Sequence, residues 1–583
     1  MFSIFEKLRW FIKTYRREYG ISILLLLLNY VLAMIPPWLI GEVADQIRLG
    51  ELGLQQLLNY SALYAVLIIS SYVISLIWQY LLFRGSDLVG RATRRRFVSK
   101  LLLQSPIFYE KNTTGSLMGK ATNDVRSIQD FGGYGMMALV EAMIAPVAII
   151  LMMGFGISWK LTLASVLPLP FVIITSKWIG DKLYLVYDQV QKSFDRMNET
   201  VLENVTGVRV IRAYVRENSE MERFGERAED LFDNNMKGVR LTALFPPVSR
   251  IFPGMSYLIA FGFGAYLIGQ GSITIGNMVS FVVYLNMLTW PMFALGDFIN
   301  VSEQASASMD RIQEVLDYPE DMVDREGAVA YSGGMGIRFD DFSFRYPKST
   351  QNALTDIDLE LPHGKTLGVV GRIGSGKTTL LKQLLRYYPV TENSLYLGEH
   401  PVEAYQTRSI REHIGYVPQQ HVLFSKSAQE NIRFGKRGES MEEELMASIA
   451  AADFEKDLAQ LPDGLDTMVG ERGMALSGGQ KQRISIARAL IGDPEILILD
   501  DSLSAVDAKT EENILANLHQ LRRGKTNLIA AHRLSGIAHA DEIIVLEEGR
   551  IVERGTHDQL FAQGGWYKKQ FLLQQLEGAS DGK

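Results

Sequence analysis

Gly371-Arg372-Ile373-Gly374-Ser375-Gly376-Lys377-Thr378 combines closely spaced glycines with a lysine and a hydroxyl residue. Glycines let backbone N–H groups turn inward around an anion, and a helix beginning at the end of such a loop adds its dipole. Lys377 then reaches the terminal phosphates and the Thr378 hydroxyl holds Mg²⁺. Gly371, Gly374, Ser375, Gly376 and Thr379 complete the candidate contacts to a nucleoside triphosphate. A second chemical stretch is Glu495-Ile496-Leu497-Ile498-Leu499-Asp500-Asp501, an apolar strand ending in two carboxylates. Asp500 is placed to hold Mg²⁺ through water. Between the two lies Leu476-Ser477-Gly478-Gly479-Gln480-Lys481-Gln482-Arg483, where a serine and two glycines at a helix start make a further anion-binding surface.

These residues need elements to hold them. Thr366–Val370 is an apolar strand feeding the glycine-rich loop, and Thr379–Leu385 continues it as a helix. Gly336–Tyr346 alternates apolar and polar residues as a strand does, and strand and helix patterns then alternate to the C-terminus. The spacing predicts an α/β domain over 336–583, joined through a polar linker at 318–335.

The first 317 residues have a different character. Six stretches are long enough to cross a bilayer, near Tyr19–Ile40, Leu57–Leu82, Gly135–Trp159, Leu161–Ile179, Leu241–Ile268 and Ile273–Ile299. Basic residues crowd the connections after the second and fourth spans and are scarce in the alternate ones. That asymmetry puts both termini and both long loops in the cytoplasm of a multi-pass protein of the cytoplasmic membrane. Residues 1–18 mix basic and aromatic residues, as a helix lying on a membrane surface does. Tyr109–Gly115 and Glu203–Arg209 each read as a turn at the tip of a cytoplasmic helical hairpin. Glu141, Arg250 and Asp297 are ionisable groups within spans, serving as lipid-headgroup anchors or facing a substrate. Asn277, Ser280 and Tyr284 share a helix face, lining a cavity or bonding to neighbouring helices. Methionines such as Met143, Met255 and Met287 suit tolerant apolar surfaces or plain packing. A net charge of −7 without a basic, aromatic-interleaved surface gives no support for nucleic acid as a partner. The absence of cysteine excludes disulfides and thiolate chemistry.

With Leu476–Gln480 lying ahead of the Asp500 strand and downstream of Gly371–Thr378, the C-terminal half resembles the nucleotide-binding domain of an ATP-binding cassette (ABC) protein. With six preceding spans, the whole chain resembles a half-transporter of the multidrug-exporter type, a six-helix membrane domain of the type I exporter fold followed by an α/β phosphate-loop domain. The resemblance implies further roles. Tyr346 stacks on the base, adenine or guanine alike, and Gln419 senses Mg²⁺. Thr467–Gly473 and Ser504–Asp507 meet a partner subunit, His532 touches the γ-phosphate, and the two hairpin tips become coupling helices. Ser477, Gly478, Gly479 and Gln480 contact nucleotide held by the other subunit.

One position departs from that pattern. Asp501 stands where the family usually has the glutamate that orients the attacking water. Aspartate is shorter by one carbon–carbon bond, about 1.5 Å, and a misplacement near 1 Å costs about a hundredfold in rate. The combination resembles one half of the heterodimeric bacterial multidrug exporters, binding ATP with Mg²⁺, turning it over slowly, and completing a competent site on an unlike partner. Hydrophobic, often cationic compounds are the implied substrates. A lipid or peptide translocator, a homodimeric exporter and a regulatory nucleotide-binding subunit are the alternatives.

Overall fold

A computed structural model describes residues 3–470, 476–503 and 506–580. The chain forms two compact units, Met1–Leu102 with Thr114–Tyr318, and Leu103–Thr113 with Pro319–Lys583. A single cut near residue 318 does not describe this division, because the hairpin tip Leu103–Thr113 packs with the second unit.

The first unit is helical. Among the described residues, five runs are long and apolar enough to cross a membrane: Arg16–Leu49, Leu54–Leu102, Thr114–Ala213, Glu217–Gly269 and Ile275–Leu316. The third holds 100 residues, which as one straight helix would measure about 150 Å. It breaks at Ser158, whose extended backbone (φ −166°, ψ 122°) caps the following segment. The six expected spans therefore map onto five runs, the third of which carries two. Pro36, Pro37, Pro146 and Pro253 sit inside helices, which membrane helices tolerate when neighbours re-satisfy the freed backbone. Leu24, Ile69, Leu163 and Leu258 are exposed, as expected of surfaces that face lipid.

Several polar groups in this unit are paired between helices. The Ser280 hydroxyl donates to the Pro37 carbonyl at 2.8 Å and the Tyr284 hydroxyl to the Met34 carbonyl at 2.6 Å. Of the two readings open for that helix face, these residues adopt interhelical bonding. Glu141 accepts from the Tyr30 hydroxyl at 3.0 Å and the Trp290 indole N–H at 2.9 Å, and Asp297 accepts from the Tyr134 hydroxyl at 2.6 Å. Both carboxylates are thus bonded to aromatic donors of neighbouring helices, whereas Arg250 is exposed.

The amphipathic start has Ile4, Leu8 and Phe11 buried on protein and Lys7 paired to Asp310 at 2.7 Å. One sequence expectation is corrected here. The turn expected at Glu203–Arg209 is absent. Helix Pro170–Ala213 runs through it, and the chain reverses at Tyr214–Arg216 with Val215 at φ 54°. An isolated Gly207 costs a helix only about 1 kcal/mol, too little to end one with propagating turns on both sides.

In the second unit, a six-stranded sheet has the order Arg550–Gly555, Glu542–Glu547, Thr366–Gly371, Thr526–Ala530, Ile496–Asp500, Ile414–Val417. All its pairs are parallel except that of the Arg550–Gly555 edge strand. The inner strands are near-continuous apolar runs because both faces are covered: Val369, Val370, Ile498 and Leu499 are fully buried. A smaller sheet joins Leu354–Leu361, Ile337–Phe344, Leu395–Leu397 and His400–Pro401. The stretch expected as a linker packs on this unit, with Tyr331 buried and edge-on to Tyr405 at 5.4 Å.

Candidate functional site

Strand Thr366–Gly371 ends in the middle of the sheet, and Asp500 ends the second strand away, so loop and carboxylate emerge at the same edge. Ligands of parallel α/β sheets bind at that carboxyl edge. Two loop glycines are dictated by geometry. At Gly371 (φ 148°) a Cβ would stand 2.2 Å from the Leu546 carbonyl oxygen, and at Gly376 (φ 105°) 2.9 Å from that of Ala353. Helix Lys377–Gln383 follows at once.

Around the loop lies a cavity of about 800 Å³ lined by Tyr346, Gly374, Ser375, Gly376, Lys377, Thr378, Thr379, Gln419, Asp500, Asp501 and His532. Gly371 ends the strand beneath it, its carbonyl accepting from the Lys377 ammonium at 2.9 Å, as does that of Arg372 at 3.0 Å. Burial pushes the lysine down from its ordinary value, against the pull of Asp501 and Asp500. The Tyr346 hydroxyl and Thr379 Oγ1 lie 3.0 Å apart, which ties the candidate base-stacking ring to the loop helix.

Thr378 donates to Asp500 at 2.7 Å and the Tyr416 hydroxyl donates to its other oxygen at 3.3 Å. Burial pushes the Asp500 carboxyl up, and those hydrogen bonds and Lys382 oppose it. A hydroxyl and one carboxylate are hard oxygen donors, which fit an Mg²⁺ that takes its other ligands from water and phosphate. Among the described residues no group of three or more His, Asp or Glu forms a fuller protein cage.

Asp501 follows in the left-handed region (φ 49°), a conformation aspartate tolerates better than most residues. Its carboxylate accepts from Gln419 Nε2 at 3.3 Å and lies 3.6 Å from His532 Nε2. Gln419 lies 82 positions from Asp501 in the chain, and with His532 the two converge on one corner of the cavity.

Ser477, Gly478, Gly479 and Gln480 do not line this cavity. Ser477 and Gln480 cap each other at the start of helix Gly478–Leu490, with Gln480 N–H donating to Ser477 Oγ at 3.3 Å and Ser477 N–H to Gln480 Oε1 at 3.0 Å. Asp507 likewise caps Ala508–Leu521. Glu471–Gly473, Ser504 and Ala505, expected to meet a partner, lie outside the described residues.

Sequence reasoning gave the first hairpin tip a coupling role but not the residues that anchor it. Within the second unit, helix Pro106–Lys111 presents Glu110 to the Tyr388 hydroxyl, which donates at 2.5 Å, while Lys348 bonds the Glu110 carbonyl. Tyr388 is edge-on to Tyr346 at 5.2 Å. The partners are 278 positions apart, so no local signal carried them. Tyr388→Phe should release this tip by about 1.5–3 kcal/mol, the worth of a hydrogen bond to a charged group. Faster amide exchange confined to residues 105–111 is the expected reading, and unchanged exchange would refute it.

Comparison with known proteins extends these observations. The model of the ABC transporter transmembrane region matches residues 19–292, and the ABC transporter model matches 354–504. The chain is 47% identical to the probable multidrug resistance ABC transporter ATP-binding/permease protein YheI of Bacillus subtilis (strain 168), covering 100% of this chain and 99% of that one. It is 38% identical to the multidrug resistance-like ATP-binding protein MdlA of Escherichia coli (strain K12), over 99% of this chain and 98% of the relative. A solved bacterial Atm1-family ABC exporter with ATP bound superposes with a TM-score of 0.80 at 26% identity, covering 96% of this chain and 99% of that one.

Proposed function

The chain belongs to the ABC transporter family, has the type I exporter fold and couples ATP hydrolysis to transport, and from that premise we propose that it is one half of a heterodimeric multidrug exporter. It works in the cytoplasmic membrane with both termini in the cytoplasm, as the distribution of basic residues favours. The observation that carries the pairing is the short Asp501 in a cavity to which the chain's own Ser477–Gln480 contribute nothing.

Lys377 exchanges its backbone carbonyls for the terminal phosphates, the loop amides cradle them, and Tyr346 stacks on the base. Thr378, Asp500 and Gln419 would hold Mg²⁺, which neutralises phosphate charge when bound. Asp501 orients the attacking water and His532 contacts the γ-phosphate. Because the Asp501 carboxylate stops short, the pocket binds ATP and turns it over slowly. Ser477–Gln480 complete the faster site of an unlike subunit. Closure around nucleotide then switches the membrane cavity by rigid-body movement.

Hydrophobic, often cationic compounds are the proposed substrates, a reading supported by the multidrug relatives. Co-reconstituted with a half-transporter that carries glutamate at the position of Asp501, the pair should show drug-stimulated ATPase activity. Absence of stimulation by any apolar cation, with transport of headgroup-labelled lipid in the same vesicles, would overturn the drug assignment. Brisk ATPase activity of this chain purified alone would overturn the heterodimer.

A further inference from the structure

Tyr567, Phe571 and Gln574 share one face of the C-terminal helix Trp566–Ser580. The first two anchor it. Tyr567 is fully buried with its hydroxyl 2.8 Å from His557 Nδ1, and the Phe571 ring lies 4.9 Å from the His557 ring. Glu553 accepts the backbone N–H of Trp566 and of Tyr567 at the helix start. A helix secured in this way holds its next turn at a defined place.

Gln574 occupies that turn and uses both ends of its carboxamide on one short piece of backbone. Its Nε2 donates to the His532 carbonyl at 2.8 Å, and its Oε1 accepts from the Leu534 N–H at 2.9 Å. The bracketed peptide units are those that aim the His532 imidazole, whose Nε2 stands 3.6 Å from Asp501. On this flank a cavity of about 1520 Å³ is lined by His532, Arg533, Glu511 and Gln574. Leu534 and Ile537 seat the turn in the core, and polar bonds brace its cavity side, with Arg533 paired to the buried Glu511 at 3.0 Å as a further brace.

We infer that Gln574 is a positioning residue for His532, so that the C-terminal helix sets how fast ATP is cleaved at this site. The side chain must supply one donor and one acceptor, two residues apart on the bracketed backbone. Glutamine does both, glutamate lacks the donor, and leucine of similar size lacks both. The inference rests on the role proposed for His532 and adds a controlling element outside the nucleotide cavity.

Single-turnover hydrolysis of radiolabelled ATP by the full-length chain, co-reconstituted in lipid nanodiscs with a half-transporter whose own catalytic glutamate is replaced by glutamine, reads this site, and fluorescent-ATP titration reads affinity separately. Gln574→Leu should slow cleavage by about tenfold, less than the hundredfold of a full 1 Å displacement, while leaving ATP affinity within about twofold. Gln574→Glu should fall between wild type and Gln574→Leu. In a His532→Ala background neither change should slow the reaction further, because the clamp acts only through the imidazole. An unchanged rate in Gln574→Leu, a loss that adds to that of His532→Ala, or a parallel loss of ATP affinity would each overturn the inference. If His532→Ala itself leaves the rate unchanged, the role of His532 fails, and that outcome is distinct from failure of the clamp alone.

Discussion

Lengthening the carboxylate in Asp501→Glu is expected to raise ATP turnover at this chain's own site by about a hundredfold. The gain corresponds to about 2.7 kcal/mol of barrier. Gln419 and His532 already converge on position 501, at 3.3 Å and 3.6 Å from its carboxylate. On the role proposed for Asp501, reach toward water limits the site, and one added methylene supplies about 1.5 Å. The backbone there is left-handed at φ 49°, a conformation that favours aspartate, so the variant should also lose up to about 1 kcal/mol of stability. Phosphate release by the full-length protein co-reconstituted with a half-transporter whose own catalytic glutamate is replaced by glutamine, with a thermal melt of the purified chain alongside, checks both effects. Turnover that stays flat while ATP still binds would mean that reach is not what limits this site.

Arg483→Ala should destabilise the second unit by about 3–5 kcal/mol. Arg483 closes the Leu476–Arg483 octet that reads in sequence as an anion-binding surface, yet its guanidinium is buried against Asp457 in a two-pronged pair, at 2.6 Å and 2.7 Å. The two side chains are only 9% and 4% exposed, so removing the cation strands an uncompensated carboxylate. The arginine lies on helix Gly478–Leu490, and the helix start that Ser477 and Gln480 cap depends on its seating. Thermal unfolding should shift down by on the order of 10 °C. Replacing both partners together, as Asp457→Leu with Arg483→Met, should cost far less, because no charge is left unpaired. Equal losses in the single and double variants would show that the pair's volume, not its charge, is what matters.

The nucleotide loop was legible because its requirements are local. Glycines at 371, 374 and 376, a lysine and a threonine must stand at fixed spacing to curl backbone amides around phosphate, and the close approach at Gly371 and Gly376 is the physical counterpart of that spacing. The membrane helices were legible for a similar reason, since bilayer thickness imposes a length of apolar chain. Boundaries inside them were less so. Nothing local distinguishes Gly207 within a continuing helix from a glycine at a turn, and the reversal came at Tyr214–Arg216 instead.

By itself the sequence determined a membrane-embedded helical part, a phosphate-binding α/β part and the identity of the residue at 501. Tertiary structure alone decided which long-range partner each polar group takes: Tyr388 for Glu110, Gln574 for the His532 turn, Asp457 for Arg483, and helix carbonyls for Ser280 and Tyr284. The physical reason is that a buried donor or acceptor must be satisfied by whatever the fold brings within about 3 Å. No spacing along the chain encodes which group that is.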